Sequence, residues 1–365
     1  MENGANEFAT RFELLPTAYN AELVKGDIRT SNSDFRVKEV LAFEPSGEGE
    51  HLFLQLEKNG CNTDWVIKQV QKTFGLSSRE VGYAGKKDRN SISEQWFSLH
   101  LPGKEVQPSL IESPSITVKN AVRHNKKLRV GSIKENLFEI VVRNLSSKLD
   151  QKALEQIVQR GFPNYFGNQR FGKGFGNLEK ANELLVEGKK IKNRNLKGLV
   201  LSSARSYLFN LQLAKRIEAD NWTKVIPGDC INLDNSQSYY HLDKPTNEEQ
   251  LRIDQADTHI CGWLAGKQPS EATTEALAIE LEAIKGFQPW LLGLNRFNLD
   301  SQRRSYRAFA KNLKVTEQGN TASFSFSLGR GCFATSLLKE LVMCNDASTN
   351  LVSSEISSSH SEALS

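Results

Sequence analysis

The sequence lacks the common cysteine and histidine patterns of metal sites. Its five cysteines lie far apart with no CxxC pair, and its six histidines form no HExxH motif and no Cys/His cluster. We therefore expect no bound metal. An odd number of cysteines is typical of a chain that stays in a reducing cytosol.

Long apolar runs are also missing. No apolar segment approaches the length that spans a membrane. The first residues, MENGANEFATRFELL, have neither the basic n-region nor the apolar h-region of a secretory signal. We expect a soluble cytoplasmic protein.

Nucleotide-binding signatures are absent as well. Gly82, Gly85 and Lys86 are too closely spaced for a Walker motif, which needs four residues between its glycines and a Ser or Thr after the Lys. The glycines near Gly174 form no GxGxxG fingerprint, and no predicted strand leads directly into them. Both absences argue against a nucleotide-dependent transferase.

What the chain does contain is an ordinary globular composition. Its 365 residues are 38% hydrophobic and 25% charged, and the formal net charge is +4. This length suggests two domains. The mild basicity permits a nucleic-acid partner without requiring one.

The most unusual stretch is the polar loop at residues 81–95, VGYAGKKDRNSISEQ. It places its one aspartate, Asp88, among Lys86, Lys87 and Arg89, and the alternating residues 96–101 that follow predict a strand. Cations close to a carboxylate favour its ionised form. The alternative is a basic surface turn whose Asp caps the next element.

Alternation and capping signals predict the surrounding elements. Residues 34–40 form a half-buried strand in which Phe35, Val37 and Glu39 share one face, so that Glu39 needs a cation beside it. Further strands are predicted at 51–57, 116–118, 137–142, 225–233, 239–242 and 322–327. Helices are predicted from Thr63 to a cap at Gly75 and at 150–159, 178–187, 202–219, 247–257, 271–285 and 334–343.

A second unusual stretch, residues 164–172, reads NYFGNQRFG and combines aromatic and amide side chains with one arginine between glycines. The polar run at 188–195 indicates a domain boundary. The strand and helix near the C-terminus lack partners of their own, so we expect them to return to the N-terminal sheet. Residues 345–365 are Ser-rich and predict a disordered tail.

These stretches together resemble the tRNA pseudouridine synthase D (TruD) family. The segment from Gly82 to Arg89 is similar to that family's catalytic motif. Six more segments match it in order and approximate spacing over nearly the whole chain, namely DF with Glu39 at 34–39, GEGEH at 47–51, KNGCNT at 58–63, NYFG with QRFG at 164–172, SARS with FN at 203–210, and FATS at 333–336.

The resemblance implies an α+β fold. A pseudouridine-synthase catalytic domain with a mixed, mainly antiparallel sheet, residues 1–189 plus 306–344, is interrupted by a family-specific α/β insertion domain at 190–305. It also implies an isomerase that converts uridine to pseudouridine at position 13 of tRNA. The reaction neither oxidises nor donates a group, so no cofactor is expected. The sequence implies no protein partner, and we expect a monomer.

The resemblance also assigns roles to individual residues. Asp88 is the catalytic carboxylate, which either attacks C1′ of the ribose or acts as a base at the ribose. Phe166 stacks on the target base and Asn164 hydrogen-bonds the base or ribose, after the base has left its stack. Arg29 stands near the position where the family usually has Lys and is our candidate partner for Asp88. Phe35 and Phe333 line the base pocket or belong to the core.

Basic residues cluster near these two loops and suggest phosphate contacts. The candidates are Lys86, Lys87, Arg89, Arg123, Lys126, Lys127, Arg129, Arg170, Lys173, Lys192 and Arg194. Each of them alone is more commonly a solvated charge. The main competing hypothesis is therefore a non-catalytic RNA-binding or RNA-chaperone protein on the same scaffold, which would not need Asp88.

Overall fold

The computed structural model describes residues 2–234, 236 and 238–348. Its α-helices in this part of the chain are α1 Glu2–Glu13, α2 Thr63–Phe74, α3 Gln151–Arg160, α4 Gly176–Leu185, α5 Arg194–Glu218, α6 Asn247–Asp254, α7 Thr274–Ala283, α8 Gln288–Leu294 and α9 Ala334–Leu338. Its β-strands are β1 Val24–Ile28, β2 Phe35–Leu41, β3 His51–Asn59, β4 Val81–Tyr83, β5 Ile92–His100, β6 Ile116–His124, β7 Ile133–Val142, β8 Phe162–Pro163, β9 Asp229–Leu233, β10 Tyr239–Leu242, β11 Thr258–Leu264, β12 Gln302–Ser305, β13 Arg307–Ala308, β14 Lys311–Gln318, β15 Thr321–Gly329 and β16 Val342–Asp346. The chain is thus of the α+β class, as predicted.

The described residues divide into two compact units. Of these described residues, the sheet unit contains those in 22–151, 310–331 and 341–348, and the helical unit contains those in 2–21, 152–309 and 332–340. These two units group residues by their spatial contacts. The predicted division into a catalytic domain, 1–189 plus 306–344, and an insertion domain, 190–305, is a division by family organisation. The contact units do not test it, and it stays a prediction.

The sheet unit is built on an eight-stranded sheet. Its order is β14-β15-β7-β2-β5-β3-β6, with β4 paired to β5. All neighbouring strands are antiparallel except β2 and β5. Because β15 pairs with β7, the expectation that the late strand returns to the N-terminal sheet is confirmed. A separate parallel pair joins β1 to β16.

Strand alternation in the sequence corresponds to burial in this sheet. In β2 the side chains of Phe35, Val37 and Glu39 are buried, as the period of two predicts. In β3 the residues Leu52, Leu54 and Leu56 are buried and join one apolar cluster. That cluster is the core on which the loop carrying Asp88 is mounted.

Helix α2 covers this cluster and has the ends that the sequence predicts. The side chain of Asn62 accepts a hydrogen bond from the backbone N–H of Trp65, which satisfies one of the free donors at the helix start. Gly75 ends the helix with φ +64°, a conformation in which a side chain would be strained. The buried residues Val66 and Val70 face the strands.

The helical unit is organised around α5, which has 25 residues. Its buried face, which includes Leu201, Leu208 and Phe209, belongs to the largest apolar cluster of the described residues. A four-stranded sheet in the order β10-β9-β11-β12 packs in the same unit. The helix begins earlier than predicted, because the Asn193 side chain accepts from the Leu196 N–H and caps it.

Near the C-terminus, one predicted helix is too long and the predicted tail starts too early. The helix expected at 334–343 ends at Leu338, and the following apolar residues form β16, because they pair with β1 from Val24 opposite Val342. Pairing with a distant strand overrides local helix preference here. The tail expected from 345 begins with two strand residues, Asn345 and Asp346, and from 349 on it lies outside the described residues.

Across the described ranges, no helix combines the length and the apolar character needed to cross a bilayer.

Candidate active site

Asp88 lies in the sheet unit, in the loop that joins β4 to β5. The two strands pair with each other from Val81 opposite Leu99, so the loop projects from the rim of the sheet. Thr63 at the start of α2 anchors the loop, since its Oγ1 accepts a hydrogen bond from the Lys87 N–H at 2.9 Å. The same hydroxyl donates to Gln95 Oε1 at 3.0 Å, and the Gln95 amide in turn donates to the Gly85 carbonyl. A strand residue and a helix residue therefore fix both halves of the loop.

The predicted partner of Asp88 is in contact with it. Arg29 Nη2 lies 3.1 Å from Asp88 Oδ2, and Arg29 Nη1 lies 2.6 Å from Oδ2 of Asp346 on β16. The Arg29 side chain is 5% exposed, whereas the Asp88 side chain is 39% exposed. The carboxylate is thus held by a buried cation and still open to a substrate.

The arginine is itself held in place from two sides. Its guanidinium carbon lies 4.2 Å from the ring centroid of Phe35, which is buried. Its backbone has φ +56°, a left-handed conformation that is uncommon for a residue with a side chain. Such a conformation persists only where its surroundings impose it, and it is often found at functional sites. The sequence did not predict this contact between Phe35 and Arg29.

Lys58 fixes the backbone of Asp88 and was not predicted as a site residue. Its side chain is fully buried, and Nζ donates to the carbonyl oxygens of Asp88 and Cys61, each at 2.7 Å. Burial lowers the pKa of Lys58 to about 8. The signal was present in the sequence, because Lys58 continues the buried face of Leu52, Leu54 and Leu56 at a period of two.

Glu39 has the cation that its buried position required. Lys87 Nζ donates to Glu39 Oε1, and the other carboxylate oxygen accepts from the Trp96 N–H at 3.0 Å. The Glu39 side chain is fully buried and that of Lys87 is nearly so. Lys87 therefore presents little charge to solvent, and the RNA contacts proposed below do not include it.

The other predicted cluster lies in the helical unit. Asn164 and Phe166 follow β8, and both are buried. The ring of Phe166 has two aromatic neighbours, with centroids 5.7 Å away for Phe333 and 5.6 Å away for Phe209. Asn210 of α5 fixes the Phe166 backbone, since its side-chain amide accepts from the Phe166 N–H and donates to the Phe166 carbonyl. The predicted aromatic and amide residues are thus neighbours in the helical unit.

Arg304 joins these residues and was not singled out from the sequence. Its guanidinium carbon lies 4.1 Å from the centroid of Phe166, and Nη2 donates to Asn164 Oδ1 at 2.5 Å. Asn164 Nδ2 donates to the Ser305 carbonyl at 2.9 Å, so both ends of the amide have protein partners. Burial lowers the pKa of Arg304 to about 10. Its only sequence signal was membership of a basic run near 303.

The other residues predicted to contact phosphates differ in how far their charged groups are exposed to solvent. Arg123 donates to the carbonyls of Leu101 and Lys104, and Arg170 donates to Ser202 and Ser206. Both guanidiniums are thus engaged inside the protein. The candidates with exposed side chains are Lys86, Arg89, Lys126, Lys127, Arg129, Lys173, Lys192 and Arg194.

Comparisons with known proteins agree on one family. The family model described as tRNA pseudouridine synthase D (TruD) matches residues 16–193 and 176–341. The tRNA pseudouridine synthase D of Methylococcus capsulatus is 38% identical over 335 residues, covering 91% of this chain and 95% of the relative. That of Legionella pneumophila strain Lens is also 38% identical, covering 90% and 98%.

A solved structure shows the same fold. The crystal structure of the putative tRNA pseudouridine synthase D from Methanosarcina mazei superposes with a TM-score of 0.71 at 20% identity, covering 93% of this chain and 98% of that one. The family match extends over most of the described residues, including the loop of Asp88 and its partner Arg29. The chain belongs to the tRNA pseudouridine synthase D (TruD) family.

Proposed function

We propose that this protein converts uridine to pseudouridine in tRNA, at position 13, without a cofactor. The observation that carries the proposal is the pair of Arg29 and Asp88, in which a buried guanidinium holds a solvent-accessible carboxylate. The names of the relatives support tRNA as the substrate. The position within the tRNA rests on the family resemblance.

The proposed reaction is an isomerisation that Asp88 can start alone. The N-glycosidic bond between C1′ and N1 breaks, the uracil turns, and C5 bonds to C1′. The proton on C5 is then lost, and N1 gains one. Asp88 acts either as a nucleophile at C1′ or as a base at the ribose. Arg29 holds the carboxylate in place, and Lys58 holds the Asp88 backbone.

Residues of the aromatic cluster are proposed to hold the flipped base. Stacking of a base on an aromatic ring is worth about 1–3 kcal/mol. Phe166 would supply such a ring, and Asn164 would hydrogen-bond the base or ribose. Phe35 and Phe333 are proposed to contribute apolar surface. Exposed cations, namely Lys86, Arg89, Lys126, Lys127, Arg129 and Lys173, are proposed to contact phosphates.

The decisive experiment measures pseudouridine in an unmodified tRNA transcript without added cofactor. Wild type is expected to form it at position 13, and Asp88→Ala is expected to form none while binding the tRNA with unchanged affinity. The matched control is Asp220→Ala, which removes an exposed aspartate of the helical unit and should remain fully active. Parallel loss of binding and turnover in Asp88→Ala would make Asp88 a structural residue.

A different outcome would favour the binding-module alternative. If wild type binds tRNA tightly and leaves every uridine unchanged, the protein binds RNA without modifying it, or it acts on another RNA. Crosslinking followed by sequencing of the bound RNA would then identify the partner.

We also propose that the protein acts as a monomer in the cytoplasm. Cys61, Cys230 and Cys261 are buried and free of disulfide bonds, which suits a reducing compartment. Light scattering of the full chain tests the first part, and cell fractionation tests the second. A stable dimer or a membrane-bound fraction would contradict them.

A further inference from the structure

A groove of about 890 Å³ lies at one end of the sheet unit. Its walls come from the connection between β2 and β3, from β3 itself, and from the connection between β6 and β7. We call it the Phe43 groove, and its defining side chains are Phe43, His51, His124, Lys126, Lys127 and Arg129. Its size is within the range of about 300–1,000 Å³ that is usual for ligand sites.

The groove contains an aromatic platform. The rings of Phe43 and His124 are stacked, with centroids 4.9 Å apart and an interplanar angle of 24°. Phe43 is 36% exposed, although an apolar ring gains by burial. The ring of His124 is held from behind by Phe53 and accepts the Ser46 N–H at Nδ1 over 3.1 Å. An oriented, exposed ring is therefore available for stacking.

Positive charge lines the same groove. Lys126, Lys127 and Arg129 are exposed, and among the described residues neither Lys126 nor Arg129 has a carboxylate within ion-pair distance. Lys127 donates one proton to the Arg79 carbonyl and has two donors left. Glu44 is the one acidic side chain in the lining, so cations outnumber it. Cations beside an exposed ring are what binding of a nucleotide requires.

The shape of the groove depends on a close approach of two loops. Gly49 has φ +118°, and a Cβ there would lie 2.6 Å from the backbone of Asn125 and His124. Any side chain at this position would displace the backbone at His124 and Asn125. The backbones of the two loops therefore approach closely at one wall of the groove.

The loop between β6 and β7, which carries Lys126 and Arg129, is also hydrogen-bonded to the first residue after β4 and to β5. The Gly131 N–H donates to the Ala84 carbonyl at 2.7 Å, and the Leu128 N–H donates to Ser98 Oγ at 3.0 Å. Ala84 stands four residues before Asp88 in the chain. The groove lies beside His51 at the start of β3, whereas Lys58 holds Asp88 near the other end of that strand. RNA held in the groove would therefore contact the sheet unit at a place separate from the catalytic loop.

We infer that the Phe43 groove binds an unpaired nucleotide of the RNA substrate, with its base on the Phe43–His124 platform and its phosphates on Lys126 and Arg129. The inference rests on the proposed function, because it takes the ligand to be RNA. It goes further, since it names a second place at which the RNA is recognised and the single-stranded character of the segment bound there.

The test uses the full-length protein and two fluorescein-labelled probes, a single-stranded oligouridylate and a blunt RNA duplex. Phe43→Ala is expected to weaken binding of the oligouridylate by about five-fold or more, which corresponds to the loss of at least about 1 kcal/mol of stacking. Binding of the duplex should not change. The matched control is Tyr239→Ala, which removes an aromatic ring of similar exposure in the helical unit.

The phosphate contacts are tested by salt dependence. The double variant Lys126→Gln/Arg129→Gln is expected to reduce the slope of log K against log salt by about 1.4 for the oligouridylate, at about 0.7 per phosphate. The control is Lys314→Gln, an exposed lysine on β14, at the opposite edge of the eight-stranded sheet from β6. With the tRNA transcript, the groove variants should raise KM and leave kcat within about two-fold.

Failure of the inference and failure of the proposed function give different results. If wild type forms pseudouridine and the groove variants bind and turn over like their controls, the groove has no role in RNA binding. Equal weakening of duplex and oligouridylate by Phe43→Ala would refute the unpaired base. If wild type forms no pseudouridine while the groove variants still bind oligouridylate more weakly, the inference of RNA binding in the groove is supported and the proposed reaction is refuted.

Discussion

Arg29 divides its guanidinium between two carboxylates, placing Nη2 3.1 Å from Asp88 and Nη1 2.6 Å from Asp346. One arginine therefore ties the candidate catalytic loop to the strand β16. A lysine has a single nitrogen at its tip, whereas the planar fork of arginine reaches two acceptors at once. The family usually has Lys near this position, and the second carboxylate gives the arginine of this chain a specific use.

Replacing Arg29 tests this arrangement. Arg29→Ala is expected to lower kcat by about 100-fold, because a misplaced catalytic group typically costs that much. Arg29→Lys should retain more activity, since its ammonium can still pair with Asp88. Asp346→Asn keeps the size of the second partner and should have the mildest effect. Single-turnover rates with the tRNA transcript measure the effect of all three variants. Unchanged rates in all of them would mean that Arg29 has no role in the reaction.

Lys58→Met tests whether the buried lysine positions Asp88. The variant is expected to lower kcat while the Kd for tRNA stays unchanged, because it removes the donor to the Asp88 carbonyl and leaves the RNA surface intact. Lys58→Gln offers a neutral donor and should recover part of the activity. A fall in binding that matches the fall in kcat would indicate a general loss of structure instead.

The same lysine predicts a pH dependence of stability. Its pKa is about 8 in the folded protein against the usual 10.5, so between these values the unfolded chain binds the extra proton. The free energy of unfolding contributed by Lys58 therefore rises with pH through this window. Urea unfolding at pH 7.5 and pH 10 measures it. The increase should be smaller in Lys58→Met than in wild type, and equal increases would contradict the prediction.

Removing Lys87 from its pair with Glu39 tests how much stability is lost when a buried charge has no partner. Lys87→Met is expected to destabilise the protein by about 3–5 kcal/mol, because it leaves the Glu39 carboxylate buried without its cation. The double variant Glu39→Gln/Lys87→Met should be more stable than Lys87→Met alone. The neighbouring Lys86 pairs with Asp64 on the surface, so Lys86→Met should cost no more than about 1 kcal/mol. Urea unfolding measures the free energy of unfolding of each variant. Equal losses of stability in Lys87→Met and Lys86→Met would refute a stabilising role for the buried pair.

Arg304→Met tests the organisation of the aromatic cluster. Without the guanidinium, Asn164 Oδ1 loses its donor and one face of Phe166 is uncovered. Turnover is expected to fall by at least about 10-fold, and Arg304→Lys should recover only part of it, because the planar fork is missing. The near-ultraviolet circular dichroism of the variants reports on the rings. Full activity of Arg304→Met would show that the cluster does not need the arginine.

Sequence reasoning succeeded where a pattern is local. Alternation located β2 and showed that Glu39 lies on a buried face, and the structure confirms the cation beside it. The start predicted at Thr63 and the cap predicted at Gly75 correctly bounded α2. These features depend on residues that are near in the chain, so the sequence carries them directly.

Sequence reasoning failed where distant segments decide the outcome. Residues 342–346 form a strand only because β1 lies beside them, and no local signal announces that pairing. The donor role of Lys58 depends on the loop that folds over it, and the contact of Arg304 with Phe166 joins residues far apart in the chain. Periodicity predicts which face is buried, but it does not predict which atoms meet there.

The pairing of β1 with β16 has a consequence for biosynthesis. Arg29 and Asp346 are separated by 317 positions, so a ribosome completes Asp88 and its loop long before the second acceptor of Arg29 exists. Until then β1 has no partner strand from β16, and the guanidinium has one carboxylate instead of two. Closing so long a loop is entropically costly, and the core must already be folded to offset the cost. An unfinished chain can therefore hold the loop of Asp88 before Arg29 has its final geometry, which is complete only once β16 has been made.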